Sequence, residues 1–265
     1  METTKLTEER IKEYLDIGKR FDNRALDEFR EIIIEKNISK NAEGSARVKL
    51  GKTEVFVGVK MDVGEPYPDS PDKGNLMVSA ELLPLSSPRF ESGPQKFPAI
   101  ELARIIDRAI RESKFIELEK LCIKEKEKVW TVFIDIYSIN DDGNLLDAAG
   151  IGAIVALKNA KIPKYDEKEG KVAYGEFTNK KLPLKKEVPL SITAYKIGEK
   201  FVLDPTREEE DITTARVTMS CAEGYIHSMQ KGNIKEISIE ELENVIDLIE
   251  KTEKEISKKI EKFLE

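Results

Sequence analysis

The chain has 265 residues, enough for one large domain or two modest ones, and long enough to bury roughly 75% of its unfolded surface. Hydrophobic residues make up 40% and charged residues 36%, the balance of a globular chain rather than a disordered one. A net charge of −7 excludes a surface that clings to nucleic acid all over. It leaves room for a local basic groove, because phosphate binding depends on where the charges sit.

The first element predicted is a helix over 7–19, with Thr7 as its cap, Glu8 and Glu9 at its positive end and Gly18 closing it. Strand patterns follow at 31–35, 45–50 and 54–61, the last two joined by a Gly51-Lys52 turn. After a loop dense in Pro, Gly and Asp at 63–73, residues 76–83 form a further strand that Pro84 ends. Pro98 opens an amphipathic helix through Ser113, whose apolar set is Leu102, Ala103, Ile105, Ile106, Ala109 and Ile110. A strand at 130–139 precedes a helix at 145–160, ended by Pro163, whose many Gly and Ala residues suit close packing.

Residues 165–189 are charged and irregular in pattern, which places the expected subdomain boundary there. Strands at 190–196, 200–203, 215–221 and 226–230 lead to the last helix. Ser238 and Glu241 form its capping box, Ile237 and Leu242 its staple, and Leu242, Val245, Ile246, Ile249, Ile256 and Ile260 its core stripe. The order of elements predicts an α/β (α+β) chain of two similar β-plus-helix halves. The divisions expected are a lead-in helix over 1–27, a first domain over 28–164, a linker over 165–188 and a second domain over 189–265.

Several chemistries are excluded by residue content. His227 is the only histidine, which removes most zinc sites and most histidine-based catalysts. Gly150-Ile151-Gly152 begins like a dinucleotide fingerprint, but its third glycine would fall on Val155. Ser138, Asn140, Asp142 and Gly143 imitate the front of a calcium loop, yet Ala149 stands where the bidentate glutamate belongs. Asn140-Asp141-Asp142-Gly143 is instead predicted as a turn. There is no Walker A sequence, so no cofactor and no metal are expected. No apolar run approaches the ~20 residues of a membrane span, and residues 1–10 are too polar for a signal peptide. Cys122 and Cys221 have no CxxC spacing and are expected as reduced, buried residues of a cytoplasmic protein. Glutamine occurs only at Gln95 and Gln230, and the Lys/Glu-rich composition resembles that of thermophile proteins.

Several strings, in order, resemble the RNase PH family over roughly 20–260. Asp22-Asn23-Arg24 followed by Arg30 resembles its Asp-Gly-Arg opening, with Asn for Gly, and Glu81-Leu82-Leu83-Pro84 its strand-ending Met-Leu-Pro. Residues 101–111 resemble its arginine-bearing helix. Ala156-Leu157, Ala160 and Ile162-Pro163 resemble the end of its central helix. The resemblance implies an RNase PH fold whose first half is similar to ribosomal protein S5 domain 2. It also implies phosphate-dependent removal of nucleotides from RNA 3′ ends by six-membered rings.

Active members place a Gly-Ser/Thr-Arg phosphate loop at the start of the central helix, where backbone N–H groups cradle the anion. Asn144, Leu145, Leu146 and Asp147 stand there in this chain. Leucine offers neither charge nor hydroxyl, and Asp147 is expected to repel phosphate, by about 4 kcal/mol at ~4 Å and an effective dielectric of 20. After Leu203-Asp204 the active pattern is also replaced, by 205–211, although acidic groups remain.

With a degenerate phosphate loop and no catalytic residues, the chain most resembles the non-catalytic RNase PH-type ring subunit of the archaeal exosome. That implies a catalytic RNase PH-type subunit as partner in a hexameric ring of three heterodimers, with RNA-binding cap subunits and single-stranded RNA. Arg104, Arg108 and Arg111 fall at i, i+4 and i+7, on one helix face opposite the apolar stripe. By spacing alone they are a solvated face with Glu101–Arg104 and Arg108–Glu112 pairs, each worth under ~0.5 kcal/mol. The resemblance implies RNA-backbone contacts for them, with Arg89 as a further contact. Two other readings stay open: a self-sufficient RNase PH-type phosphate-dependent 3′-to-5′ exoribonuclease, and an unrelated α/β binding module.

Overall fold

The computed structural model describes residues 3–167 and 170–264. Helix α1 spans Lys5–Asp16, and Thr4 rather than Thr7 caps it: the Thr4 hydroxyl accepts from the Thr7 N–H at 3.3 Å. Both threonines can cap, but only Thr4 precedes the first apolar residue of the helix. Gly18, with φ +72°, takes the chain away from it.

The first sheet contains β1 (Ile32–Lys36), β2 (Gly44–Leu50), β3 (Thr53–Gly64), β4 (Asn75–Leu82), β5 (Cys122–Lys124) and β6 (Lys128–Asn140). Its order is β1-β2-β3-β6-β4, with β5 paired to β6. Every pairing is antiparallel except β4 with β6. That parallel pair needs a crossover, which helix α2 (Phe97–Glu112) supplies. In β3, Val55, Val57, Val59 and Met61 are buried in strict alternation, the signature of a sheet with one covered face.

Helix α3 (Leu145–Asn159) lies on that face and is buried from Leu145 through Leu157. Small residues are what allow this depth. A Cβ added to Gly152 would meet Val57 Cγ2 at 2.7 Å, so only hydrogen fits where the helix crosses β3.

The segment expected to be an irregular linker is folded. Residues Lys161–Asp166 (β7) and Lys171–Lys181 (β8) pair as an antiparallel hairpin. Its polar, lysine-rich composition hid the strands because neither face is fully covered, so no apolar alternation was required.

The second sheet is β9 (Leu190–Ile197), β10 (Lys200–Leu203), β11 (Ala215–Ala222) and β12 (Tyr225–Gly232), in the antiparallel order β10-β9-β11-β12. The short helix α4 (Arg207–Asp211) follows β10. Helix α5 (Ile239–Ile260) starts at the expected Ser238–Glu241 capping box, with both reciprocal bonds present. Val245, Ile249, Ile256 and Ile260 of its stripe are buried; Leu242 and Ile246 are partly covered. Cys221 is buried as expected, whereas Cys122 on the short β5 is only half-buried.

The two faces of this second sheet differ. Leu190, Ile192, Ala194, Val217, Met219 and Cys221 join the main core with α5. The alternate residues Ser191, Thr193, Tyr195, Arg216, Thr218 and Ser220 form the other face, which bonds to α2 and α3. Helix α1 packs Ile11 and Leu15 with Tyr195, Ile197, Val202 and Ile212, in a smaller core of their own.

Candidate functional site

The start of α3 is the place where the sequence predicts a lost anion site. Asn144, fully buried, adopts the left-handed conformation with φ +58° and ψ +43°, which asparagine tolerates better than most residues. Its backbone N–H donates to Glu210 Oε2 at 3.1 Å. The preceding Gly143 N–H donates to Asp141 Oδ1 at 3.2 Å. A helix N-terminus offers N–H groups to an anion, and here the Glu210 carboxylate takes the one at the cap, while that of Gly143, just before the helix, goes to Asp141.

The Asn144 side chain works inward. Its Nδ2 donates to Asp147 Oδ2 at 3.0 Å and to Asp204 Oδ1 at 2.9 Å, and its Oδ1 accepts from the Tyr195 hydroxyl at 3.1 Å. Asp147 is therefore not an exposed charge facing a phosphate, as the sequence led us to expect. It is 1% exposed and turned into the interior, where it accepts from the Thr193 hydroxyl at 2.8 Å and the Thr193 N–H at 3.3 Å. Burial pushes its carboxyl up to about 7 against the pull of these hydrogen bonds, with Asp204 adding a like charge. Leu145 and Leu146, by contrast, do line the neighbouring cleft.

That cleft, about 1060 Å³, lies between the β4–α2 loop, the start of α3, α4 and β12. Arginines enter it from three elements, and each is held by acids. Arg89 pairs with Asp141 at 2.9 Å and Asp211 at 3.3 Å, Arg207 with Glu210 at 2.9 Å and also with Asp211, and Arg216 with Glu101. An anion entering the cleft would meet guanidinium groups already shared among Asp141, Glu210, Asp211 and Glu101. Arg89, predicted to contact RNA, therefore sits in a salt-bridge network at the cleft wall, one-third exposed.

The α2 arginines lie beside the cleft rather than in it. Arg104 and Arg108 are exposed, and neither forms an ion pair within 4 Å among the described residues. The predicted Glu101–Arg104 pair is replaced because Glu101 turns to Arg216 and Gln230. Arg111 differs: it is held by Asp107 at 2.6 Å, four residues back, and by the Leu76 carbonyl at 3.1 Å.

Sequence reasoning missed the buried centre that holds this region together. Asp204, fully buried with φ +46°, accepts from the Arg30 N–H at 2.8 Å, Arg30 Nη2 at 2.7 Å and Arg24 Nη1 at 3.0 Å. Arg30 also reaches the carbonyls of Asp142 and Gly143, at 2.9 and 3.0 Å. Arg20 donates to Glu209 at 2.9 and 2.5 Å and to the carbonyls of Leu203 and Asp204, both at 2.9 Å. The one signal was the Asp22-Asn23-Arg24…Arg30 string, which carried no hint of its partner 174 residues away.

With the geometry in hand, comparison with known proteins gives a consistent picture. Residues 28–163 match the model of domain 1 of the 3′ exoribonuclease family, RNase PH, and residues 187–251 match that of its domain 2. The exosome complex component Rrp42 of Methanocella arvoryzae is 46% identical over 245 residues, covering 92% of this chain and 91% of that protein. The protein of the same name from Pyrococcus furiosus is 46% identical over 251 residues, covering 93% and 90%. A chain of the Archaeoglobus fulgidus exosome with RNA bound to the active site superposes with a TM-score of 0.87 at 42% identity, covering 96% of this chain and 97% of that one. A chain of an archaeal exosome core does so at 0.84 and 38%, covering 98% and 97%. On these matches, two domains wide and spanning nearly the whole chain, the protein belongs to the RNase PH family of 3′ exoribonucleases.

Proposed function

We propose that the chain is the non-catalytic RNase PH-type component of an archaeal exosome, a phosphate-dependent 3′-to-5′ RNA-degrading complex. In this reading it shapes the ring and holds RNA while a catalytic relative supplies phosphate and the catalytic acid. The observation that carries it is the self-ligated start of α3: Glu210 and Asp141 take the N–H groups of Asn144 and Gly143, and Leu145 and Leu146 stand where an active loop needs a hydroxyl and an arginine. The relatives' names support the assembly.

The remaining parts follow from the same reading. Residues 28–164 and 189–265 act as the two domain units, joined across 165–188 and led in by 1–27. The partner is the catalytic RNase PH-type subunit, in a ring of three heterodimers to which RNA-binding cap subunits attach, working in the cytoplasm. Arg104 and Arg108, free of internal ion pairs, meet RNA phosphates without reading bases. Arg111 and Arg89 contribute only after yielding their carboxylates.

The test is direct. The purified chain, given poly(A) and inorganic phosphate, is expected to release no nucleoside diphosphate. Co-expressed with the catalytic subunit, it should elute as a hexamer that does. Phosphate-dependent decay by the chain alone would overturn the reading in favour of a self-sufficient enzyme. A second measurement addresses α2. Arg104→Ala/Arg108→Ala rings should stay assembled but bind RNA ~1–3 kcal/mol more weakly, with the log–log salt slope flatter by about one to two, at ~0.7 per single-strand phosphate contact.

A further inference from the structure

The face of the second sheet that looks toward α2 carries two polar rows. Strand register sets Ser191, Ser220 and Ser228 opposite one another on β9, β11 and β12, and Thr193, Thr218 and Gln230 form the next row. The hydroxyl protons of the second row are already committed, as is one amide proton of Gln230. The Thr218 and Thr193 hydroxyls meet at 3.0 Å, Thr193 donates onward to Asp147 at 2.8 Å, and Gln230 Nε2 donates to Glu101 at 3.0 Å. The first row is different. Ser220 Oγ, on a residue 1% exposed, is buried with no hydrogen-bond partner among the described residues, a feature that folded proteins rarely leave in place.

These side chains and Arg108 of α2 line one small cavity of about 10 Å³, close to the least that admits a single oxygen-sized group. Its lining holds one cation and no carboxylate. The large cleft nearby, where every arginine is held by acids, has the opposite character. A lining arginine with no ion pair among the described residues, beside hydroxyls that have protons to give, is a setting for an anion.

We propose that this cavity is a phosphodiester subsite for single-stranded RNA. Arg108 grips the phosphate, and one non-bridging oxygen enters the cavity to accept from Ser220, with Ser191 and Ser228 at its sides. A carboxylate fits less well. A planar carboxylate that meets the guanidinium fork holds both oxygens in the plane of that fork, whereas a tetrahedral phosphodiester can give one non-bridging oxygen to Arg108 and direct the other, out of that plane, to the buried hydroxyl. The inference rests on the reading that the chain binds RNA through α2, and it adds the group beneath that helix which fixes where the phosphate sits.

The test measures oligo(A) RNA binding by the full chain, alone and in the ring, across a salt series. Ser220→Ala should weaken binding ~3–10-fold and leave the salt slope unchanged, because no charge is removed. Arg108→Ala should weaken binding and flatten the slope by about 0.7, and in its background Ser220→Ala should have no further effect. Ser220→Ala removes an unsatisfied hydroxyl, so the fold should survive it; if it does not, Ser228→Ala at the half-buried rim carries the same test. Unchanged affinity in the serine variants, with loss in Arg104→Ala/Arg108→Ala, overturns the subsite and leaves the α2 reading intact. Unchanged affinity in the arginine variants overturns both. Displacement of the RNA by polyglutamate, with the same dependence on Ser220, would assign the cavity to acidic peptides and overturn the proposal.

Discussion

Asp147 sits at the N-terminal turn of α3 with its carboxyl raised to about 7 by burial, and this has a measurable sign. In the unfolded chain it ionises near its ordinary value of 3.8. Between those values the folded state binds the extra proton, so stability falls as pH rises through that window, by at most about 1.4 kcal/mol per pH unit. The full cost is present above pH 7 and absent below pH 4. Asp147→Asn keeps an acceptor for Thr193 and removes the titration. Its melting temperature should rise relative to the wild type as pH goes from 5 to 8, and melting curves that run parallel across that range would contradict the assignment. The residue type was read correctly from the sequence and its orientation was not. Which way a side chain on a buried helix turn points depends on partners, here Thr193 and Asn144, that local spacing does not reveal.

Among elements, α3 shows how closely a helix backbone can approach the side chains beneath it. Gly150 and Gly152 lie one above the other in sequence but on different surfaces. A Cβ at Gly150 would find Ser191 Cβ at 3.4 Å, ordinary contact, whereas at Gly152 it would find Val57 Cγ2 at 2.7 Å. Val57 is buried and β-branched, so it cannot swing aside. Gly150→Ala should be neutral or stabilising by up to ~1 kcal/mol through helix propensity, and Gly152→Ala should cost ~1–3 kcal/mol by overpacking; chemical denaturation of the two variants checks both.

Legibility followed the same division. Helix α5 announced itself because capping box and apolar stripe are local, and α2 because Pro98 and its stripe agree. The β7–β8 hairpin did not, since strands with neither face fully covered need no strict hydrophobic alternation. Helix α4, five residues long, is too short for periodicity to register. The α2 arginines were legible as a face, but Arg216 was not legible as a cleft residue, because its pairing with Glu101 is made by tertiary approach. Arg207, although paired within α4 to Glu210 and Asp211, enters the cleft only through the fold.

For the whole molecule, the ties between lead-in and second half matter most. Arg20 is fully buried against Glu209, and Arg24 and Arg30 converge on Asp204. Removing one partner of such a buried pair leaves the other charge stranded, at ~3–5 kcal/mol. Arg20→Ala should therefore lower the melting temperature far more than Arg104→Ala, whose guanidinium has no internal partner; equal shifts would show that the buried centre is not what joins the halves. The carboxylate at the start of α3 has a wider consequence. Glu210 is tethered, so its effective concentration at the Asn144 N–H does not vary with the surroundings, and a freely diffusing anion must outcompete a ligand that never leaves. Changes in ambient phosphate would then leave the occupancy of this position unmoved. In an assembly that alternates such a subunit with one whose anion site is open, the response to phosphate supply would have the stoichiometry of the open sites alone.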